Sequence, residues 1–153
     1  MKGEWMNDEV IVLIVEDDDG HARLIEKNLR RASIENEMLR FTDGQQILDF
    51  LFRRGEGRKR EQYASYLLLL DIRIPKMDGI EVLRQVKQDE ELRKLPVIML
   101  TTMDDPREVE VCHNLGCSNY IVKPVEFDKF AEVLSRLGLF LKIVQVPQLN
   151  GVQ

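Results

Sequence analysis

Histidine and cysteine are scarce in this chain, with two of each among 153 residues. Cys112 and Cys117 stand close together, with no His or Cys cluster at structural-zinc spacing and no cysteine ladder for a disulfide scaffold. Both read as buried free thiols. His21 and His113 fall outside any motif and read as structural or surface side chains, not as phosphohistidines. Long apolar runs are also missing. Residues 10–15 are too few for a membrane span or a signal-peptide core, and the segment before them carries mainly acids. No glycine-rich phosphate loop follows that run. Positive charge is not in excess either: the formal charge is −5 and the pI near 5.2, which disfavours nucleic acid and anionic membrane as partners. The expectation is a cytoplasmic protein whose partners are proteins or cations.

What the chain does have is a regular alternation. At 153 residues and 44% hydrophobic content it suits one core, since domains cluster at roughly 100–150 residues. Five short apolar or β-branched runs, at 10–15, 37–41, 67–70, 97–100 and 119–122, have the length and composition of strands. Helical patterns lie between them. Ala22, Ile25, Leu29 and Ala32 share one stripe, as do Ile80, Leu83 and Lys87 with Val82 and Val86 beside them. Asp43, Asp78 and Asp105 each precede a helical stretch whose third residue is Gln46, Glu81 or Glu108, the pattern of a capped helix start. Strands apolar on both faces, alternating with helices, predict a doubly wound α/β fold around a parallel sheet. The polar stretch 53–62, RRGEGRKREQ, reads as a solvated connection whose basic cluster is a candidate docking surface. The tail 138–153, with Leu139, Phe140, Leu141, Ile143, Val144 and Val146, is too apolar to stay in water and too short to be a domain, so it is expected to pack onto something.

In a doubly wound sheet, ligands bind beyond the carboxyl ends of the strands. Glu16, Asp17 and Asp18 follow the first strand, Asp71 the third, Thr101 and Thr102 the fourth, and Lys123 the fifth. Carboxylates converging on one crevice repel one another, and a hard divalent cation with oxygen ligands relieves that repulsion, which points to Mg2+. Asp18 and Asp19 are equally well read as an N-cap and a dipole-compensating first turn. Asp71 closes the run LLLL, which must be deeply buried, and Lys123 is restrained by Pro124.

Taken together, VEDDD, LLLLDIRIPKMDG, VIMLTT and YIVKP, in that order, closely resemble the receiver domains of two-component response regulators, over about residues 10–137. The resemblance implies a flavodoxin-like, CheY-like sheet of five parallel strands in the order 2-1-3-4-5, with helices on both faces. It sets a receiver domain at 8–137, followed by a C-terminal apolar extension at 138–153. By the same resemblance Asp71 is the phosphoacceptor, and Mg2+ is held by Glu16, Asp17, Asp71 and the backbone carbonyl of Arg73. Lys123 matches the family lysine, Thr101 the switch hydroxyl and Tyr120 the switch aromatic, a ring that turns inward from solvent once Asp71 is phosphorylated. FLFRRG, LTTMDDPREV and the apolar tail are similar to phytochrome-associated regulators that carry no output domain. The implied partners are a sensor histidine kinase, a phytochrome-type photoreceptor among them, or a phosphotransfer protein. A second copy, docked through the face of the fourth helix, fifth strand and fifth helix, is implied as well.

Two departures from the family pattern carry expectations. Arg73, two residues after Asp71, is long and cationic, and is expected to pair with a pocket carboxylate when metal is absent. Thr102 is bulkier than the small residue many relatives have, and is expected to narrow donor access. A haloacid-dehalogenase-type phosphatase is disfavoured because Arg73 stands where the second aspartate would be. The remaining alternative is a phosphorylation-independent scaffold with the receiver fold, which the intact set Glu16, Asp17, Asp71, Thr101 and Lys123 argues against. The residues after Leu137 cannot make a DNA-binding output domain.

Overall fold

A computed structural model describes residues 9–149. The N-terminal stretch 1–8 and tail residues 150–153 lie outside the described residues.

The five apolar runs form β1 (Ile11–Val15), β2 (Met38–Phe41), β3 (Tyr66–Leu70), β4 (Val97–Thr101) and β5 (Asn119–Val122). Between and after them come α1 (Asp19–Arg31), α2 (Gly44–Leu51), α3 (Gly79–Gln88), α4 (Pro106–Leu115) and α5 (Phe127–Leu141), with a short 3-10 turn at Leu92–Lys94. All strand pairs are parallel, in the order β2-β1-β3-β4-β5. This is the expected topology.

Successive strand side chains point to opposite faces, so one sheet builds two cores. Leu13, Val15, Leu68, Leu70, Val97 and Met99 pack with Ile47 and Leu48 of α2, Val82 and Leu83 of α3 and Cys112 of α4. Val12, Ile14, Leu67, Leu69, Ile98 and Leu100 pack with Leu24, Ile25 and Leu29 of α1 and with Phe130, Leu134 and Leu137 of α5. Both faces being covered, β1, β3 and β4 are buried throughout.

Aspartates start four of the five helices. Asp18, Asp43, Asp78 and Asp105 accept from the backbone N–H of His21, Gln46, Glu81 and Arg107. Asp18 is therefore a cap, while Asp19 pairs with Arg40 at 2.7 Å. In α3 the buried stripe is Val82, Leu83 and Val86; Lys87 instead turns its ammonium onto the carbonyls of Arg93 (3.0 Å) and Leu95 (2.6 Å). Gly79 opens α3 where a Cβ would lie 2.1 Å from the backbone oxygen of Asp71, so the helix start and the strand end meet only because no side chain intervenes.

The connection 53–62 is not wholly solvated. Arg60 is buried, its Nε donating to the Leu51 carbonyl (3.0 Å) and its backbone N–H to the Phe50 carbonyl (3.0 Å). As far as Leu149 the tail packs on its own domain. α5 continues past Leu137 to Leu141, and Gly138 sits against Ala32 of the α1 C-cap, where a Cβ would come within 2.4 Å of the Ala32 Cβ. Beyond α5 the chain crosses the sheet end: Val144 and Val146 pack with the α1/α5 core, and Leu149 is buried in the other. An antiparallel bridge joins Gln148 to Ser65, and the Leu149 N–H donates to the Ala64 carbonyl at 2.9 Å. Leu139, Phe140 and Ile143 remain exposed. No helix among the described residues is long and apolar enough to cross a membrane.

Candidate functional site

Strand register brings the acids together. Val15 is the partner of Leu70, so Glu16 and Asp71, the next residues of β1 and β3, leave the sheet side by side. The Asp71 N–H donates to the Val15 carbonyl (3.2 Å), and the Glu16 N–H to the Phe41 carbonyl (3.0 Å). Glu16, Asp17 and Asp71 each offer a carboxylate oxygen within 4.8 Å of the other two; Glu16 and Asp71 are buried and Asp17 is exposed.

Lys123 reaches into this cluster from the end of β5, where its N–H donates to the Thr101 carbonyl at 2.7 Å. Lys123 is 3% exposed, and its ammonium donates to Glu16 Oε1 and to Asp71 Oδ2, the latter at 3.0 Å. One buried cation thus compensates two buried carboxylates, and a charge there is tolerable only when paired. Burial pushes the Glu16 carboxyl above its ordinary value of 4.5, and the neighbouring Asp71 adds to this, while Lys123 acts against it. Asp71 Oδ1 is also buried and has no hydrogen-bond partner among the described residues. An acceptor left unpaired beside two more carboxylates is a place for a cation or an electrophile.

The switch positions meet at Met103. Thr101 is fully buried, and its Oγ1 accepts from the Met103 N–H at 3.3 Å. The Tyr120 hydroxyl donates to the Met103 carbonyl at 2.7 Å. Its phenol is pushed up to about 12, by burial first and then by Cys112 and nearby acids. The Tyr120 ring is half-buried against the α2/α3/α4 core, where the sequence led us to expect a ring in solvent.

Arg73 corrects another expectation. Among the described residues no carboxylate pairs with its guanidinium; Nε lies 3.4 Å from the Met103 sulfur in an exposed position. Lys123 already takes both buried carboxylates, and an exposed guanidinium keeps its hydration by staying outside. Thr102 is exposed. Cys112 and Cys117 are buried free thiols, and burial pushes Cys112 up to about 12.

One pocket residue was missed. His21 Nδ1 stands 3.3 Å from Lys123 Nζ, and the ring packs edge-on against Phe130 with centroids 5.5 Å apart. Fixing the start of α1 at the Asp18 cap would have placed His21 in the first turn above the strand ends, but the sequence left that cap undecided.

Comparison with known proteins agrees with this geometry. The family model described as Response regulator receiver domain matches residues 12–135. The chain belongs to that family. It is 32% identical over 142 residues to the response regulator Rcp1 of Synechocystis, covering 92% of this chain and 95% of the relative. A solved receiver domain from Rhodospirillum rubrum is 45% identical, with a TM-score of 0.86 over 92% of this chain and 99% of that one. The Mn2+-bound form of Rcp1 is 29% identical with a TM-score of 0.79, covering 90% and 98%. The phosphorylated cyanobacterial phytochrome response regulator RcpA is 27% identical with a TM-score of 0.78, covering 90% and 97%. The chain is a response regulator receiver of a two-component system, similar to the phytochrome-associated type. Such domains are phosphoacceptors, not enzymes of the ordinary kind.

Proposed function

We propose that the chain is a phosphorylation switch whose acceptor is the carboxylate of Asp71. The observation that carries this reading is the state of that carboxylate: buried, one oxygen held by Lys123, the other without a hydrogen-bond partner among the described residues, with Glu16 and Asp17 at its side. The donor set suits Mg2+, since the unpaired Oδ1 and two neighbouring carboxylates are hard oxygen ligands. Glu16, Asp17, Asp71 and the backbone carbonyl of Arg73 would hold it. Bound there, Mg2+ neutralises charge in the pocket and on the incoming phosphoryl oxygens.

The residues of the chain do the rest. An Asp71 oxygen attacks phosphorus, and the bond from phosphorus to a phosphohistidine nitrogen of a kinase or phosphotransfer protein breaks in line; its electron pair leaves with the imidazole. Lys123 keeps its ammonium in the pocket and gives an N–H to a phosphoryl oxygen. Small phosphodonors react in the same way, and water later attacks the acyl phosphate and returns the free Asp71. Thr101 turns its hydroxyl from the Met103 N–H toward the phosphoryl oxygens. That frees the segment on which Tyr120 is anchored, and the α4/β5 surface changes.

A phytochrome-type photoreceptor kinase is the partner we favour, on the likeness to Rcp1 and RcpA. The acidic charge favours protein partners, which we place in the cytoplasm. A second copy is a further partner: Asn119, Ile121, Val133, Arg136, Leu137 and Phe140 line a shallow, mostly apolar groove of about 320 Å3 on β5 and α5. The test of the acceptor is the intact mass of the chain after treatment with acetyl phosphate and Mg2+. A hydroxylamine-labile phosphoryl adduct is expected in the native chain, and its persistence in Asp71→Asn would overturn the assignment.

A further inference from the structure

We propose that His21 is a positioning residue for phosphoryl transfer: its imidazole accepts a hydrogen bond from Lys123 through Nδ1 and holds the ammonium over Asp71. This rests on Asp71 being the acceptor. A lysine ammonium has three N–H donors. In the pocket they face three acceptors: Glu16 Oε1, Asp71 Oδ2 at 3.0 Å and His21 Nδ1 at 3.3 Å. Two of the three are carboxylates assigned to the cation and the phosphoryl group. Once their charge is committed there, their attraction for Lys123 falls. His21 is the acceptor whose role does not change during transfer.

Its geometry suits the task. The His21 backbone N–H is tied to the Asp18 carboxylate at 2.9 Å, which fixes the ring on the first turn of α1. The ring meets Phe130 of α5 nearly perpendicularly, at 84°, and Lys123 Nζ lies 6.0 Å from the centroid of the same phenyl ring. Phe130 therefore backs both partners of the contact, and a cation over its face is attracted to the ring. The ammonium can only donate, so the contact with Lys123 uses the Nδ1 lone pair, and the same Nδ1 lies 3.9 Å from Glu16 Oε1. The side chain is 39% exposed, which leaves the far edge of the ring open to water.

The test uses the full chain with two substitutions. His21→Phe keeps a ring against Phe130 and removes the acceptor; His21→Asn puts an amide oxygen the same number of bonds from Cβ as Nδ1. The maximal rate of Asp71 phosphorylation by acetyl phosphate at saturating Mg2+ should fall about tenfold in His21→Phe, the scale of one hydrogen bond to a charged group. His21→Asn should recover most of that rate, and calorimetric Mg2+ affinity should stay within about twofold of native. By 15N NMR, the Lys123 ammonium protons should exchange with water faster in His21→Phe than in the native chain. A His21→Phe chain with the native rate, or a His21→Asn chain as slow as His21→Phe, would overturn the inference while leaving Asp71 in place. A native chain that takes no adduct from acetyl phosphate or from a phosphohistidine donor would remove the acceptor assignment and this inference together.

Discussion

Glu16 shows how finely the pocket is balanced at the scale of single residues. Its carboxyl titrates above 4.5, with burial the larger cause and Lys123 opposing it. Because the folded value is raised, the favourable contribution of its bound proton is complete below 4.5 and is lost as pH rises through the folded value. A divalent cation has to displace that proton. Mg2+ binding, followed by calorimetry at successive pH values, should therefore tighten as pH rises above 4.5, with proton release that disappears once Glu16 is ionised. Affinity independent of pH across that interval would contradict the account. Thr101 is the second residue on which function turns. Thr101→Ala removes the hydroxyl that now accepts from Met103, so phosphorylation should still occur while phosphorylation-dependent partner binding falls at least about tenfold, the scale of a typical allosteric coupling. Native coupling in that variant, measured by pull-down with the cognate kinase, would sink the proposed route.

At the scale of elements, two close approaches separate stability from function. Gly79 lets α3 begin against the Asp71 carbonyl, and Gly138 lets α5 lie on Ala32. Alanine at either position overpacks the contact, and each should lower stability by about 1–3 kcal/mol in urea unfolding. Only Gly79→Ala disturbs the strand end that carries the acceptor, so it alone should also slow phosphorylation of the folded fraction; equal rates in the two variants would contradict this. The same scale explains what was legible beforehand. Asp43, Asp78 and Asp105 announced helix starts because capping is a local interaction between a side chain and the next turn. Strand ends were legible because apolar runs stop abruptly at Glu16, Asp71 and Lys123. The surroundings of His21, Arg60 and Arg73 were not, because long side chains choose partners on other elements, and one-dimensional spacing does not encode those distances. Lys87 shows the same limit: it lies on the α3 stripe by period, yet bends to carbonyls beyond its helix.

Across the whole molecule, the tail divides its apolar residues between two surfaces. Val144 and Val146 pack half-buried against one of the chain's cores and Leu149 lies inside the other, where burying a leucine is worth about 1.5–3 kcal/mol. Helix α5 runs on past Leu137 to Leu141 without a break. Leu139, Phe140 and Ile143 are left outside, beside the groove on β5 and α5. If that face joins two copies, Phe140→Asp should shift the sedimentation of the native dimer to that of a monomer with little change in unfolding. A native chain that stays monomeric at every concentration would remove the dimer from the account.

The central claim is that a buried, half-unpaired Asp71 receives the phosphoryl group. Intact mass after exposure to acetyl phosphate and Mg2+, native chain against Asp71→Asn, tests it most directly. The account predicts a single hydroxylamine-labile adduct in the native chain, dependent on Mg2+ and lost in Asp71→Asn. An adduct that survives in Asp71→Asn, or a native chain that takes none from either acetyl phosphate or a phosphohistidine donor, would contradict it.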